Sequence, residues 1–426
     1  MKITTIAAIS ALCLLTGTYQ TSGWQNQGAS LNQPVEITFQ HVHKGPYGTA
    51  VDTLIDAFHQ QHPHIRVTAV ATESGDYEGI LRDLSTGSQF PHVVQAGYSY
   101  TQEMIDNMPI VPVEAFIEEE NMDTSDFFPE LLSLGTDKSD TLYSLPFVAS
   151  TPVLYYNQDL LKAASIDPAK LKTFDDVRQA AKAMTKGEQY GIYYSFTMSG
   201  NWIVQAMIES FGGRMLDDQK EIAFVSPEGE KAVQHLVDLI QVDQSMPPVN
   251  ESVAYQQFLD GKLAMFVNTS ATLAALQREA EFHVGTVAFP SDSIHPRKIP
   301  VGGNGLFIMK STPEKEKAAW EFIKFVTSPE GNAAFAKDTG YMTVRQSAVE
   351  REDLLGQLLR EKPEYRTPYL HATEFTRWVS IPTSESSAYY IMQNNIIQAL
   401  SYKKTALQAL EESAEQIRAL RPIKNR

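Results

Sequence analysis

Histidines and clustered carboxylates are the first residues to weigh for chemistry. Six of the ten histidines fall between positions 41 and 92. His41 and His43 share one strand face at a spacing that two metal ligands can use, and His59, His62 and His64 crowd the end of a helix. A metal-binding receptor is one reading of them; the other is that the second cluster complements the negative end of a helix. The run Glu118-Glu119-Glu120 raises glycoside hydrolysis, which needs two carboxylates facing each other across a cleft. A solvated helix face explains the same run, and a secreted carbohydrate-active hydrolase stands as the enzymatic alternative. The sequence has no Ser nucleophile elbow, no Walker-type phosphate loop and no HExxH string.

These residues need elements to hold them. Val35, Ile37 and Phe39 alternate with Glu36, Thr38 and Gln40, which predicts a strand. Val51, Leu54, Ile55 and Phe58 recur at helical spacing from Gly48 on. A strand over Ile65 to Ala71, a helix marked by Ile80, Leu81 and Leu84, and a short strand over His92 to Gln95 follow. This β-α-β-α-β order predicts a mostly parallel sheet covered by helices, with ligands bound beyond the carboxyl ends of the strands. Those ends carry His41, His43, Lys44, the Gly75-Asp76-Tyr77 turn and Gly97-Tyr98. A second pattern begins near Pro146, with a strand over Val153 to Tyr156 and a capped helix start at Thr173-Phe174-Asp175-Asp176. Strands over Leu263 to Val267 and Leu306 to Met309, a helix over Pro313 to Thr327 and a helical tail from Ser386 complete it.

A length of 426 residues predicts two compact domains or one large α/β unit. The 51 acidic against 35 basic side chains, a formal charge of −16, leave no basic stripe for nucleic acid. Lys2, the apolar run Ile3 to Leu15 and the small residues ending at Gly23 predict a secretory signal peptide over 1–23. Its removal takes away Cys13, the one cysteine, and with it thiol catalysis, Cys-ligated zinc and disulfides.

Several strings together resemble the family 1 extracellular solute-binding proteins, the receptor subunits of ABC importers. They are Ser150-Thr151-Pro152-Val153-Leu154-Tyr155-Tyr156-Asn157, Phe258-Leu259-Asp260-Gly261-Lys262-Leu263-Ala264-Met265, Pro300-Val301-Gly302-Gly303, and Ser328-Pro329-Glu330 through Thr339-Gly340-Tyr341. The resemblance implies an α/β, two-lobe periplasmic-binding-protein fold of type II, with the solute cleft between the lobes and three hinge crossings. Residues 24–148 with 271–340 would form lobe I, and 149–270 with 341–426 lobe II, crossing near Ala149, Asn268 and Gly340. It implies capture of a small polyhydroxylated solute (a sugar, or a glycerol phosphate or glycerophosphodiester) in the periplasm, delivery to ABC permease subunits, a monomer, and no cofactor.

A polyol site needs flat aromatic faces for C–H surface and neutral groups for hydroxyls. The family's cleft positions fall here on Tyr77, Tyr98, Ser150, Trp202, Ser270, Gly303 and Tyr341. Backbone N–H groups around Gly302, Gly303 and Asn304 could receive an anion. Two departures matter. Phosphate-binding members carry an arginine where this chain has Ser380 or Ile381, with Arg377 nearby in a different register. They also carry an acidic residue where this chain has Tyr98. Losing a bidentate guanidinium removes the strongest phosphate donor, so a neutral sugar competes with a phosphate ester.

Overall fold

The computed structural model describes residues 33–73, 76–86, 90–198, 201–379, 381 and 385–420. The expected signal peptide, together with Gly75 and Ser380, lies outside the described residues.

Among the described residues twelve strands and the helices between them form an α/β arrangement: β1 Val35–His41, β2 Ile65–Ala71, β3 Val93–Gly97, β4 Ile110–Val111, β5 Ser144–Ser150, β6 Pro152–Asn157, β7 Tyr190–Tyr194, β8 Leu263–Thr269, β9 Val284–Ala288, β10 Ile299–Pro300, β11 Gly302–Met309 and β12 Phe375–Thr376. The first sheet runs β2-β1-β3-β11, with β4 and β5 both pairing to the far side of β11. β1 is parallel to β2 and β3, as the β-α-β-α-β pattern requires, whereas β11 returns antiparallel to β3, β4 and β5. The second sheet runs β7-β8-β6-β9.

Each sheet has its own core. Ile37, Phe39, Val51, Phe58, Phe147, Ile308 and Trp320 belong to the first, and Tyr155, Tyr193, Phe258, Met265, Met392 and Leu410 to the second. Both faces of β5 and β11 are buried, which explains their near-continuous apolar composition. The helix Phe174–Met184 starts in a capping box between Thr173 and Asp176. In the helix Pro329–Thr339, buried Asn332 donates to the Phe147 carbonyl at 2.5 Å and accepts from Val344 N at 2.8 Å and Thr343 Oγ1 at 2.7 Å. One amide thereby fixes the return of the chain onto β5.

The chain passes between cores at three places among the described residues. The first is Thr151, between β5 and β6, beside the expected Ala149. The second differs from the expected Asn268. Leu273, Leu276, Val284 and Phe289 pack in the second core, and β9 pairs with β6 from Val153 opposite Ala288 to Asn157 opposite Val284. An uncovered β6 edge would leave backbone groups unpaired, and β9 closes it; the passage therefore lies between Phe289 and Val301. The third also moves: Met342 and Val344 still pack in the first core, and Trp378 in the second.

Candidate functional site

The carboxyl ends of β1, β3 and β5 and the start of antiparallel β11 meet at one edge of the first sheet. There Asn304 stands opposite Gly97 on one side and Val148 on the other. Tyr77 begins the helix Tyr77–Thr86 and lays its ring on Gly97; a Cβ there would lie 2.9 Å from Cδ2 of Tyr77. Asn304 is fully buried, and its Nδ2 donates to the Tyr77 hydroxyl at 2.9 Å. Its Oδ1 is buried and receives no hydrogen bond among the described residues. Tyr98 turns inward instead: it is 6 % exposed, and its hydroxyl donates to the Val148 carbonyl at 3.0 Å. Burial pushes that phenol well above its ordinary range.

Gly303 pairs with Ala149 at a φ of +113°, and a Cβ on it would lie 2.2 Å from the Val148 carbonyl oxygen. Next to it, Gly302 faces Ser150. A Cβ on Gly302 would approach Ser150 Oγ to 2.8 Å and the Trp202 ring to 3.0 Å. Glycine at both positions lets β5, β11 and an indole from the second core close on one point. Trp202 opens the helix Trp202–Ser210, is 3 % exposed, and donates Nε1–H to the Pro300 carbonyl at 2.7 Å. Its ring centroid lies 6.1 Å from that of Trp378, whose own buried Nε1 has no hydrogen-bond partner among the described residues.

Ser270 ties the first passage together. Its Oγ accepts from Thr151 N at 3.1 Å, and its N–H donates to the Thr151 carbonyl at 2.8 Å. Tyr341 joins an aromatic group with His43, Tyr47 and Phe335, ring centroids 5.9, 6.1 and 6.2 Å away. Arg377 is exposed and directs its guanidinium to the Ser133 carbonyl. The structure thus brings Tyr77, Asn304, Gly303, Ser150 and Trp202 to one edge. It commits the side chains of Tyr98 and Ser270 to the fold, and points Arg377 at backbone.

The sequence reading did not single out Gln95, which is fully buried on β3. Its Oε1 accepts from Val42 N at 3.0 Å, and its amide meets His43 Nε2 at 2.8 Å. A lone amide in the apolar run Val93-Val94-Gln95-Ala96 was the available signal. Gln205 and Glu209 were also passed over. Gln205 holds the Arg377 carbonyl at 3.0 Å and Val379 N at 3.1 Å, and Glu209 accepts from Thr376 Oγ1 at 2.9 Å.

Four of the histidines weighed as metal ligands are engaged within the fold. His41 Nδ1 accepts from His43 N at 3.2 Å, His59 Nε2 from Val67 N at 3.0 Å and His92 Nδ1 from Thr38 N at 3.0 Å, while His62 stacks on Phe58. Among the described residues no three His, Cys, Asp or Glu side chains converge as metal ligands. Glu118, Glu119 and Glu120 are exposed, and Glu120 accepts from Lys324 at 2.7 Å.

Burial lowers His41 to about 4, and burial with the neighbouring His41 lowers His43 to about 3. Between pH 6.5 and about 4 the unfolded chain therefore binds more protons at these positions than the native one. Stability is complete above pH 6.5 and falls as the pH drops, by up to about 1.4 kcal/mol per pH unit for each histidine. Glu209 and Glu251, both raised by burial, act in the opposite sense in acid. Urea midpoints at pH 7.5 and 5.5 should therefore be compared between the natural chain and His43→Gln. The natural chain should lose more; equal losses would show that His43 does not titrate with folding.

No helix among the described residues is long and apolar enough to cross a membrane. A family model described as bacterial extracellular solute-binding protein matches residues 53–365. The sn-glycerol-3-phosphate-binding periplasmic protein UgpB of Pectobacterium atrosepticum is 26% identical over 422 residues, 92% of each chain. Among solved structures, UgpB from Mycobacterium tuberculosis in complex with glycerophosphocholine superposes with a TM-score of 0.82 at 21% identity, covering 90% of this chain and 97% of that one. Maltose-bound MalE3 of T. maritima gives 0.78 at 22% identity, covering 90% and 99%.

Proposed function

The chain belongs to the bacterial extracellular solute-binding protein family, and on that premise we propose that it is the periplasmic substrate-binding subunit of an ABC importer. It captures a small polyhydroxylated solute, a sugar or a glycerol phosphate or glycerophosphodiester, and delivers it to membrane permease subunits. It acts as a monomeric receptor without catalysis or cofactor. The names of its relatives support a periplasmic location and this class of solute.

One observation carries the reading. Asn304 and Ser150 from the first sheet, Tyr77 from the helix beside it and Trp202 from the second core lie at the edge where β1, β3 and β5 present their carboxyl ends. An aromatic face, neutral amide and hydroxyl groups and glycine-rich backbone are what a polyol needs. The two cores support a division into two lobes, residues 34–150 with 301–344, and 152–289 with 378–420. Closure about the passages at Thr151, 290–300 and 345–377 would bring Trp202 and Tyr77 onto the solute.

Thermal unfolding of the purified chain with glycerol phosphates, glycerophosphodiesters, polyols and mono- to trisaccharides tests this. A solute at about a hundred times its dissociation constant should add about 2.7 kcal/mol of stability. The solute should be recovered unchanged. Hydrolysis of it, or a melting point indifferent to the whole panel, would refute the receptor reading.

A further inference from the structure

Asn304 is an unusual residue for its position. It lies in the centre of the sheet on β11, between β3 and β5, and no part of it is exposed. Its amide nitrogen is committed to the Tyr77 hydroxyl, which fixes the plane of the side chain and leaves Oδ1 without a donor. A buried carbonyl oxygen left unpaired is costly, and folded proteins keep few of them. The neighbouring backbone does not supply the donor, because the Gly97 and Val148 strands are already engaged in the ladder on either side. A ligand hydroxyl can donate to Oδ1. A phosphate oxygen, which only accepts, would meet its lone pairs head on.

Two cations, one at the end of β1 and one beside Trp378, are turned to backbone carbonyls. Lys44 donates to the Glu73 carbonyl and Arg377 to the Ser133 carbonyl. The stretches that flank Tyr77, Trp202 and Trp378 outside the described residues, 74–75, 199–200, 380 and 382–384, contain no Lys or Arg. Tight phosphate capture calls for charge-assisted donors, above all a guanidinium.

From these observations we infer that the solute is uncharged, a polyol or glycoside, and that it donates a hydroxyl to Oδ1 of Asn304, which selects for it. The inference rests on the receptor reading and narrows its solute class. Titration calorimetry at low and high salt, with uncharged polyols and mono- to trisaccharides in one arm and sn-glycerol 3-phosphate and glycerophosphocholine in the other, separates the two. At least one uncharged compound should bind more tightly than either phosphate compound, with an affinity that salt leaves nearly unchanged. Preference for a phosphate compound would overturn the inference and leave the receptor intact. Silence from both arms would count against the receptor itself.

Asn304→Leu tests the residue. It removes an unpaired buried oxygen together with the donor to the Tyr77 hydroxyl, two opposed effects, so the free protein should melt within a few degrees of the natural chain. The uncharged solute should bind at least about tenfold more weakly, as expected when a buried hydroxyl loses its acceptor. Unchanged affinity would remove Asn304 from the selection. Should this variant fail to fold, the two-arm titration of the natural chain still decides the charge of the solute.

Discussion

Gly303→Ala should lower the melting temperature further than a methyl added at any other positive-φ glycine among the described residues. Two costs combine there. The φ of +113° is one that a side chain rarely tolerates, and the new Cβ would stand 2.2 Å from the Val148 carbonyl oxygen and 2.9 Å from Ala149 Cα. Neither neighbour is the flexible end of a side chain; both are backbone of β5, which is buried along its whole length. Relief requires β5 and β11 to part at the point where Asn304 and Ser150 are placed. A loss of about 4 kcal/mol or more is expected, the size reserved for strain and overpacking in a core. Gly187→Ala is the control, since its φ of +62° is also positive but nothing lies within 4 Å of the added atom. That variant should lose only about 1 kcal/mol, the cost of left-handed backbone alone. Thermal unfolding followed by circular dichroism measures both. Equal, small shifts would mean that β11 can move away from β5 without penalty.

The contrast between those glycines shows what the sequence could and could not reveal. Local patterns were legible. Alternation marked β1, helical spacing marked Val51 to Phe58, and Thr173 with Asp176 announced a cap that the structure realises on both sides. Such signals depend on neighbours within one or two turns. Side-chain destinations were less legible, because they depend on partners far along the chain. Nothing near Tyr98 says that its hydroxyl will reach Val148, 50 residues on, and nothing near Arg377 points to Ser133, 244 residues back. The strand Val284–Ala288 was missed for a related reason. It is short and only partly buried, and it is a strand because β6 needs an edge partner. The family strings located Gly302 and Gly303, but the reason for two glycines, an indole and a carbonyl both at van der Waals range, is a tertiary fact.

Trp202 sharpens that point. The family's cleft positions include Trp202, a role in which truncation weakens solute binding and leaves the fold intact. In the structure the indole is 3 % exposed, belongs to the second core, and supplies the donor for the Pro300 carbonyl just before β11 begins. Trp202→Ala should therefore cost about 3–5 kcal/mol, as large-to-small changes of buried aromatics do. It should also abolish most solute-induced stabilisation, because Gly302, Ser150 and Trp378 all rest on the same ring or beside it. Trp202→Phe divides the two roles. It keeps a ring in the space but leaves the Pro300 carbonyl without its donor, a cost of about 1–3 kcal/mol. If the indole acts by positioning the start of β11, the phenylalanine variant should bind weakly although its core is filled. If the ring face alone touches solute, that variant should keep most of its affinity. Melting curves of both variants, with and without the solute found by the panel, read the two quantities together. A Trp202→Ala chain as stable as the natural one would contradict the burial and the hydrogen bond on which this argument stands.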